Sequence, residues 1–185
     1  MVLLRSIAFL AYFYAVTIAL ALAAPFLRLR GWRGALRHAR LWSMLVLDGV
    51  RVICGIRYEV TGREHLPAHG PALIACMHQS AFETFAWLQI APEVTFVVKQ
   101  ELARIPIVGG LMRQGGLIVV DRSGGSAAMR RAMSEARAAA AGGRQIVIFP
   151  EGTRVAPGRF VKLQPGVAGI ASATNLPVIP VATDS

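Results

Sequence analysis

The stretch CMHQSAFETF, residues 76 to 85, sets His78 behind an apolar run and Glu83 five positions further on. The strand-like PALIAC leads into the histidine, and SAFETFAWL after it reads as a helix with Ser80 as N-cap and Glu83 at the third position. Side chains in a first helical turn lean back toward the N-terminus, so the Glu83 carboxylate is placed to accept a hydrogen bond from one ring nitrogen of His78. The other nitrogen then points outward, as a general base requires. The same helix N-terminus would disfavour an imidazolium before reaction and help to hold developing negative charge. An ordinary capping box beside a satisfied loop histidine fits these residues equally well, and this stretch alone leaves both readings open.

Two further stretches put charge at the ends of apolar runs. KQELARIPIVGGLMRQGGLIVVDR, residues 99 to 122, begins on Lys99, closes on Arg122, and carries Pro106, Gly109, Gly110, Gly115 and Gly116 between them. Such glycines permit tight turns or close backbone approach, and both cations could meet a phosphate, although a charge at a strand end is most often merely solvated. IFPEGTR sets Pro150, Glu151, Gly152, Thr153 and Arg154 directly after an apolar strand, where Arg154 can grip a phosphate through charge-assisted hydrogen bonds. A plain surface turn is the alternative. Ser80 as a nucleophile is disfavoured, because the G-x-S-x-G elbow is absent.

These residues need a frame. After residue 55 the chain alternates short apolar runs (PALIAC, VTFVV, GLIVV, QIVIF and LPVIPVA) with helical or glycine-rich stretches, and the runs read as buried strands. GGSAAMRRAMSEARAAAAGG, residues 124 to 143, reads as a helix with Ser126 as N-cap and a glycine pair as its stop. The expectation is an α/β domain, a mixed or largely parallel sheet flanked by helices, with its site in the loops at the strand ends. The organisation expected is 1–55 as N-terminal membrane-docking helices and 56–185 as the α/β domain, with Ser185 following a strand so closely that the domain is read as possibly truncated.

Residues 6 to 26 are uncharged, long enough as a helix to cover a hydrocarbon core of roughly 30 Å. ALAA at residues 21 to 24 resembles a signal-peptide cleavage site, but an anchor is preferred. Behind the span stand Arg28, Arg30, Arg33, Arg37 and Arg40, with only Arg5 ahead of it, so the positive-inside rule keeps the arginine side in the cytosol. Residues 35 to 55 carry apolar residues at helical spacing, with Trp32 and Trp42 suited to a headgroup layer. A helix that simply covers the domain is the other reading. The 185 residues carry 20 Lys and Arg against 10 Asp and Glu, a net charge of +10 that suits anionic lipid, phosphorylated substrate or nucleic acid. Nucleic acid ranks last, since no recognition motif accompanies the charge. Cys54 and Cys76 have no metal-ligand spacing and are expected to be buried, reduced thiols.

In this order and at these spacings, HQSAFE, KQELARIPIVGG…VVDR, FPEGTR and LPVIPVA resemble the four motif blocks of the glycerolipid acyltransferases, specifically the bacterial 1-acyl-sn-glycerol-3-phosphate acyltransferases. The resemblance covers roughly residues 72 to 182. It implies acyl transfer from acyl-CoA or acyl-acyl carrier protein to the 2-hydroxyl of lysophosphatidic acid, giving phosphatidic acid, with no metal or redox cofactor. It implies His78 as base and Glu83 as its partner, in place of the family's more usual aspartate, the loop adapting to one extra methylene. It brings Lys99, Arg122 and Arg154 near the acceptor's phosphate, with Glu151, Gly152 and Thr153 shaping the same loop. The implied setting is a bacterial inner membrane with the catalytic domain facing the cytosol, the partners being a phospholipid surface, a lysophospholipid acceptor and the acyl donor, and not nucleic acid. Another lysolipid acceptor, such as a lyso-ornithine lipid, and a catalytically silent lipid-binding protein are the rival readings.

Overall fold

A computed structural model of the chain describes residues 1–27, 31–105, 108–121 and 123–184. Arg122, Arg28, Arg30, Pro106 and Ser185 lie outside the described residues. Five strands, β1 (Ala72–Cys76), β2 (Val94–Lys99), β3 (Ile118–Val120), β4 (Gln145–Ile148) and β5 (Val178–Val181), form one sheet in the order β3-β2-β4-β1-β5. Every pairing is parallel. Helices cover both faces, as a parallel sheet demands.

Alternate side chains of the strands enter two cores. On one face Ile74, Phe96 and Val147 meet Trp87 and Leu88 of α3 (Phe82–Ile90) and Leu36 of α2 (Gly31–Gly49). On the other, Leu73, Ile118, Ile146 and Ile148 meet Ala132, Ala136 and Ala139 of α6 (Gly125–Ala141) and Ile170 of α7 (Gly166–Thr174). The alanine stripe lets α6 approach the sheet closely. Ser126 is not its N-cap: Gly124 holds that position, and the Asp121 carboxylate orders the entry by accepting from the Ser123 and Gly124 amides and from Ser123 Oγ. Those bonds hold the Asp121 carboxyl below its ordinary range. The expected glycine stop is present, Gly143 taking φ +76° after Gly142.

Three other expectations are corrected. β5 is a half-exposed edge strand and not a buried one. Residues 35 to 55 are not one α-helix, since α2 ends at Gly49 and a π-helical turn, Val50–Cys54, follows. Cys54 in that turn is partly exposed, whereas Cys76 is buried as expected. The glycine-rich second stretch folds as α4 (Gln100–Ala103) and α5 (Val108–Gln114), helices that its broken periodicity hid. Gly109 explains one glycine there, because a Cβ would run into the Ala103 carbonyl.

α1 (Val2–Leu27) is long and apolar enough to cross a membrane, and its surface is almost wholly unburied by the rest of the chain. Its middle is nonetheless docked. Tyr12 Oη donates to the Leu45 carbonyl at 3.0 Å, Thr17 Oγ1 accepts from Trp42 Nε1 at 3.0 Å, and Phe13, Trp42 and Phe85 join their rings at 4.9 to 6.3 Å. α2 in turn ties to α3, Ser43 Oγ donating to the Phe85 carbonyl at 2.6 Å. α2 therefore serves both neighbours, burying Leu36 and Val46 while Leu41 and Met44 stay exposed. Beneath the sheet, Arg144 donates to the carbonyls of Gly115, Gly116 and Val94 at 2.7 to 2.9 Å, with its guanidinium 4.6 Å over Trp32.

Candidate active site

All five strands point the same way, so the sheet has one C-terminal edge, and every motif stretch opens onto it. His78 follows β1 by two residues, Lys99 ends β2, and Glu151 to Arg154 follow β4. β1 and β4 are direct neighbours. Their loops are stitched together: the His78 amide donates to Glu151 Oε1 at 3.3 Å, and its carbonyl accepts from the Val155 amide at 2.8 Å.

The histidine ring is held on two sides. Nδ1 lies 3.3 Å from Glu83 Oε2, and the ring stacks on Phe149 with centroids 4.1 Å apart and planes 22° from parallel. The Glu83 side chain is only 3 % exposed, so its charge must be satisfied inside the protein. The amides of Gln79 and Ser80 donate to it at 2.9 to 3.2 Å, as does Ser80 Oγ at 3.3 Å. A carboxylate at Glu83 only accepts, so Nδ1 is the nitrogen that donates to it, and a neutral ring then has its lone pair on Nε2, directed away from the carboxylate. The His78 side chain is 19 % exposed, so the ring is not sealed from solvent.

Ser80 is shifted from its expected place. Ala81 takes the N-cap position, while Ser80, one residue earlier, lends its hydroxyl to the Phe82 amide at 3.1 Å. The amides of Gln79, Ser80 and Phe82 are thus engaged by Glu83 and Ser80. The expectation that this helix start would hold developing negative charge is corrected for these three donors, since two already face the Glu83 carboxylate and the third the Ser80 hydroxyl.

Lys99 is exposed at the start of α4, one strand beyond β4 from His78, which at about 4.8 Å per strand puts their backbones roughly 10 Å apart. Its four-carbon stem can cross much of that gap. Thr153 and Arg154 are exposed, and Gly152 turns the loop at φ +68°, its amide donating to the Phe149 carbonyl at 2.9 Å. Arg122, two residues beyond β3, is the one expected site residue outside the described residues. Cys76 sits beneath the site, its thiol pushed up to about 11 by burial, with the charges of Glu83 and Glu151 adding to the effect. It is protonated near neutrality and is no nucleophile.

Phe149 was missed by sequence reasoning. It reads as the last apolar residue of a strand, and only the stacking distance reveals it as a wall for the imidazole. Glu151 has a clearer role than its place in the motif conveyed, for its carboxylate anchors the His78 backbone. The structure thus joins His78, Glu83, Phe149 and Glu151 by direct contacts and gathers Lys99 and Arg154 along the same edge.

The acyltransferase family profile matches residues 57–184, which include every residue of this edge. The chain belongs to the acyltransferase family. A 1-acyl-sn-glycerol-3-phosphate acyltransferase of Pseudomonas aeruginosa is 34 % identical over 141 residues, 76 % of this chain and 54 % of that protein. One from Cocos nucifera is 33 % identical over 146 residues, 78 % of this chain and 47 % of that protein. The chain thus spans about half the length of these curated relatives. The crystal structure of a 1-acyl-sn-glycerophosphate (LPA) acyltransferase from Thermotoga maritima shares the fold, with a TM-score of 0.73 at 21 % identity, covering 98 % of this chain and 83 % of that one. The fold shared with that structure takes in α1 and α2 as well as the sheet.

Proposed function

We propose that this acyltransferase moves an acyl group from acyl-CoA or acyl-acyl carrier protein to the 2-hydroxyl of lysophosphatidic acid, giving phosphatidic acid, with His78 as general base. The observation that carries the proposal is the Nδ1 contact to a buried, fully hydrogen-bonded Glu83. Nε2 takes the hydroxyl proton as the oxygen attacks the thioester carbonyl; the new C–O bond forms, the C–S bond breaks, and the proton passes to the departing sulfur. Ester and free thiol are the products. An imidazolium formed 3.3 Å from the Glu83 carboxylate is stabilised as the charge appears, and a positioned base of this kind contributes typically about 10²- to 10⁴-fold. Glu83 positions the ring and does not itself take the proton.

Lys99, Arg122 and Arg154 bind the acceptor's phosphate in this reading, while Gly152 and Thr153 shape the loop that carries Arg154. Glu151 acts through the His78 backbone, a role more natural for a carboxylate than contact with phosphate. No metal or redox cofactor is used, the chemistry needing only a base and a thioester. Residues 1–55 dock the enzyme to membrane phospholipid and residues 56–185 form the acyltransferase domain, facing the cytosol at a bacterial inner membrane, where acyl thioesters are made. The docking of Phe85, two residues after Glu83, against Phe13 in the middle of α1 supports a site held at the lipid surface.

The test is transfer of a labelled acyl group to lysophosphatidic acid by protein purified in detergent, wild type against His78→Ala. Transfer by wild type and its loss in a folded variant support the proposal. Transfer undiminished in the variant overturns the role of His78, and no transfer from either donor overturns the reaction.

A further inference from the structure

We propose that the loop from Ala156 to Leu163 is a second membrane contact, a tip that inserts apolar side chains into an anionic lipid surface beside the candidate site. The loop follows Arg154, and its feet belong to the site itself: the Val155 amide donates to the His78 carbonyl and the Gln164 amide to the Pro150 carbonyl, each at 2.8 Å. Between them Ala156, Pro157, Gly158 and Arg159 form a tight turn, with Gly158 at φ +75° and the Arg159 amide bonded to the Ala156 carbonyl at 3.1 Å. The fold gains nothing from the side chains this loop carries outward. Every residue from Ala156 to Pro165 is exposed, Phe160 at 98 %, Leu163 at 58 % and Val161 at 45 %.

Chemistry and position select the partner. Arg159 and Lys162 interleave with the apolar residues, Arg154 stands at the foot, and no acidic residue occurs from Gly152 to Thr183. An aromatic ring and aliphatic chains among cations form an interfacial contact, the apolar groups entering the acyl boundary while the cations meet lipid phosphate. The loop's Val155 foot also connects, through His78, to the elements packed on α1. Four residues after His78 begins α3, whose Phe82 packs on Tyr58 at 5.2 Å and whose Phe85 packs on Phe13 of α1 at 6.3 Å. An acidic protein would match the charge equally, but this continuity with α1 favours the lipid surface.

The inference rests on the reading that the chain works at a membrane, and the test separates the two. A Cys54→Ser background removes the accessible thiol, while buried Cys76 stays unreactive. An environment-sensitive fluorophore is then attached at Phe160→Cys, at Ile18→Cys in α1, or at Ser134→Cys on the exposed side of α6, and the full chain is reconstituted into phosphatidylcholine vesicles with or without phosphatidylglycerol. The expected result is a blue shift and quenching by doxyl-labelled lipid at positions 18 and 160 and none at 134, with the response at 160 growing when phosphatidylglycerol is present. Quenching at 18 without quenching at 160 overturns the loop contact alone; quenching at neither overturns the membrane reading with it. A response at 160 that appears only on adding acyl carrier protein, or that grows with protein concentration without lipid, overturns the proposal in favour of a protein partner or a second copy.

Discussion

Glu83→Gln tests the site at one atom. The glutamine fills the same volume, but one carboxylate oxygen becomes an amide nitrogen that donates and does not accept. In the wild type Oε1 accepts from the Gln79 and Ser80 amides, while Oε2 shares the Ser80 amide and faces His78 Nδ1. If the amide oxygen keeps the backbone donors, the new NH₂ faces Nδ1 and forces it to accept; the ring proton moves to Nε2 and the base is lost. The opposite rotamer sets NH₂ against both backbone N–H groups, whereas the first sets it against the shared Ser80 amide alone, so the first arrangement wins. Turnover should fall by about 10²- to 10⁴-fold, the whole contribution of a positioned base, while KM for the acceptor stays within a few-fold. Exchanging a charged acceptor for a neutral one at these donors should destabilise the fold by about 1–3 kcal/mol, a drop in melting midpoint of roughly 2–10 °C for a chain of this length. Glu83→Asp keeps the charge and should recover most of the turnover. The assay is initial-rate acyl transfer beside thermal unfolding of the same samples in detergent. A glutamine variant that loses stability yet keeps turnover within threefold of wild type would refute the reasoning, leaving Glu83 as a loop brace and no more.

The remaining predictions concern the frame. Arg144→Ala removes the partner of three carbonyls and the cation stacked on Trp32, and should cost about 2–4 kcal/mol in urea unfolding, with Arg144→Lys recovering less than half because an ammonium cannot span all three acceptors. Alkylation at pH 8 should modify Cys54 and spare Cys76 until the protein is unfolded. Because the folded thiol of Cys76 holds its proton up to about 11, the stability it contributes is complete below the ordinary thiol value of 9.0 and is lost as pH rises toward 11. Unfolding midpoints of wild type should therefore fall over that interval more steeply than those of Cys76→Ala; parallel curves would show that the thiol is not the group responsible.

What the sequence could display depended on whether a signal is local. The α/β alternation, the glycine stop of α6 and the pairing of His78 with Glu83 involve residues within one element or one turn, and all are legible as spacing. Strand order is not local: nothing in QIVIF says that it lies between VTFVV and PALIAC, yet that order makes the Glu151 loop the neighbour of the His78 loop. Phe149 escaped for the same reason, an apolar strand end being indistinguishable in one dimension from a ring that stacks on the imidazole. The Glu83 bonds to the backbone ahead of α3 and its contact with His78, read from sequence as alternatives, occur together in space, although Ala81 and not Ser80 is the N-cap. Glu83 Oε1 accepts from the Gln79 and Ser80 amides, Oε2 shares the Ser80 amide and meets Nδ1, and a buried carboxylate needs those backbone bonds to face the imidazole as an acceptor. A cap that happens to adjoin a histidine would gain nothing from burying its charge; here the helix start supplies the donors that keep an ionised Glu83 beside the imidazole.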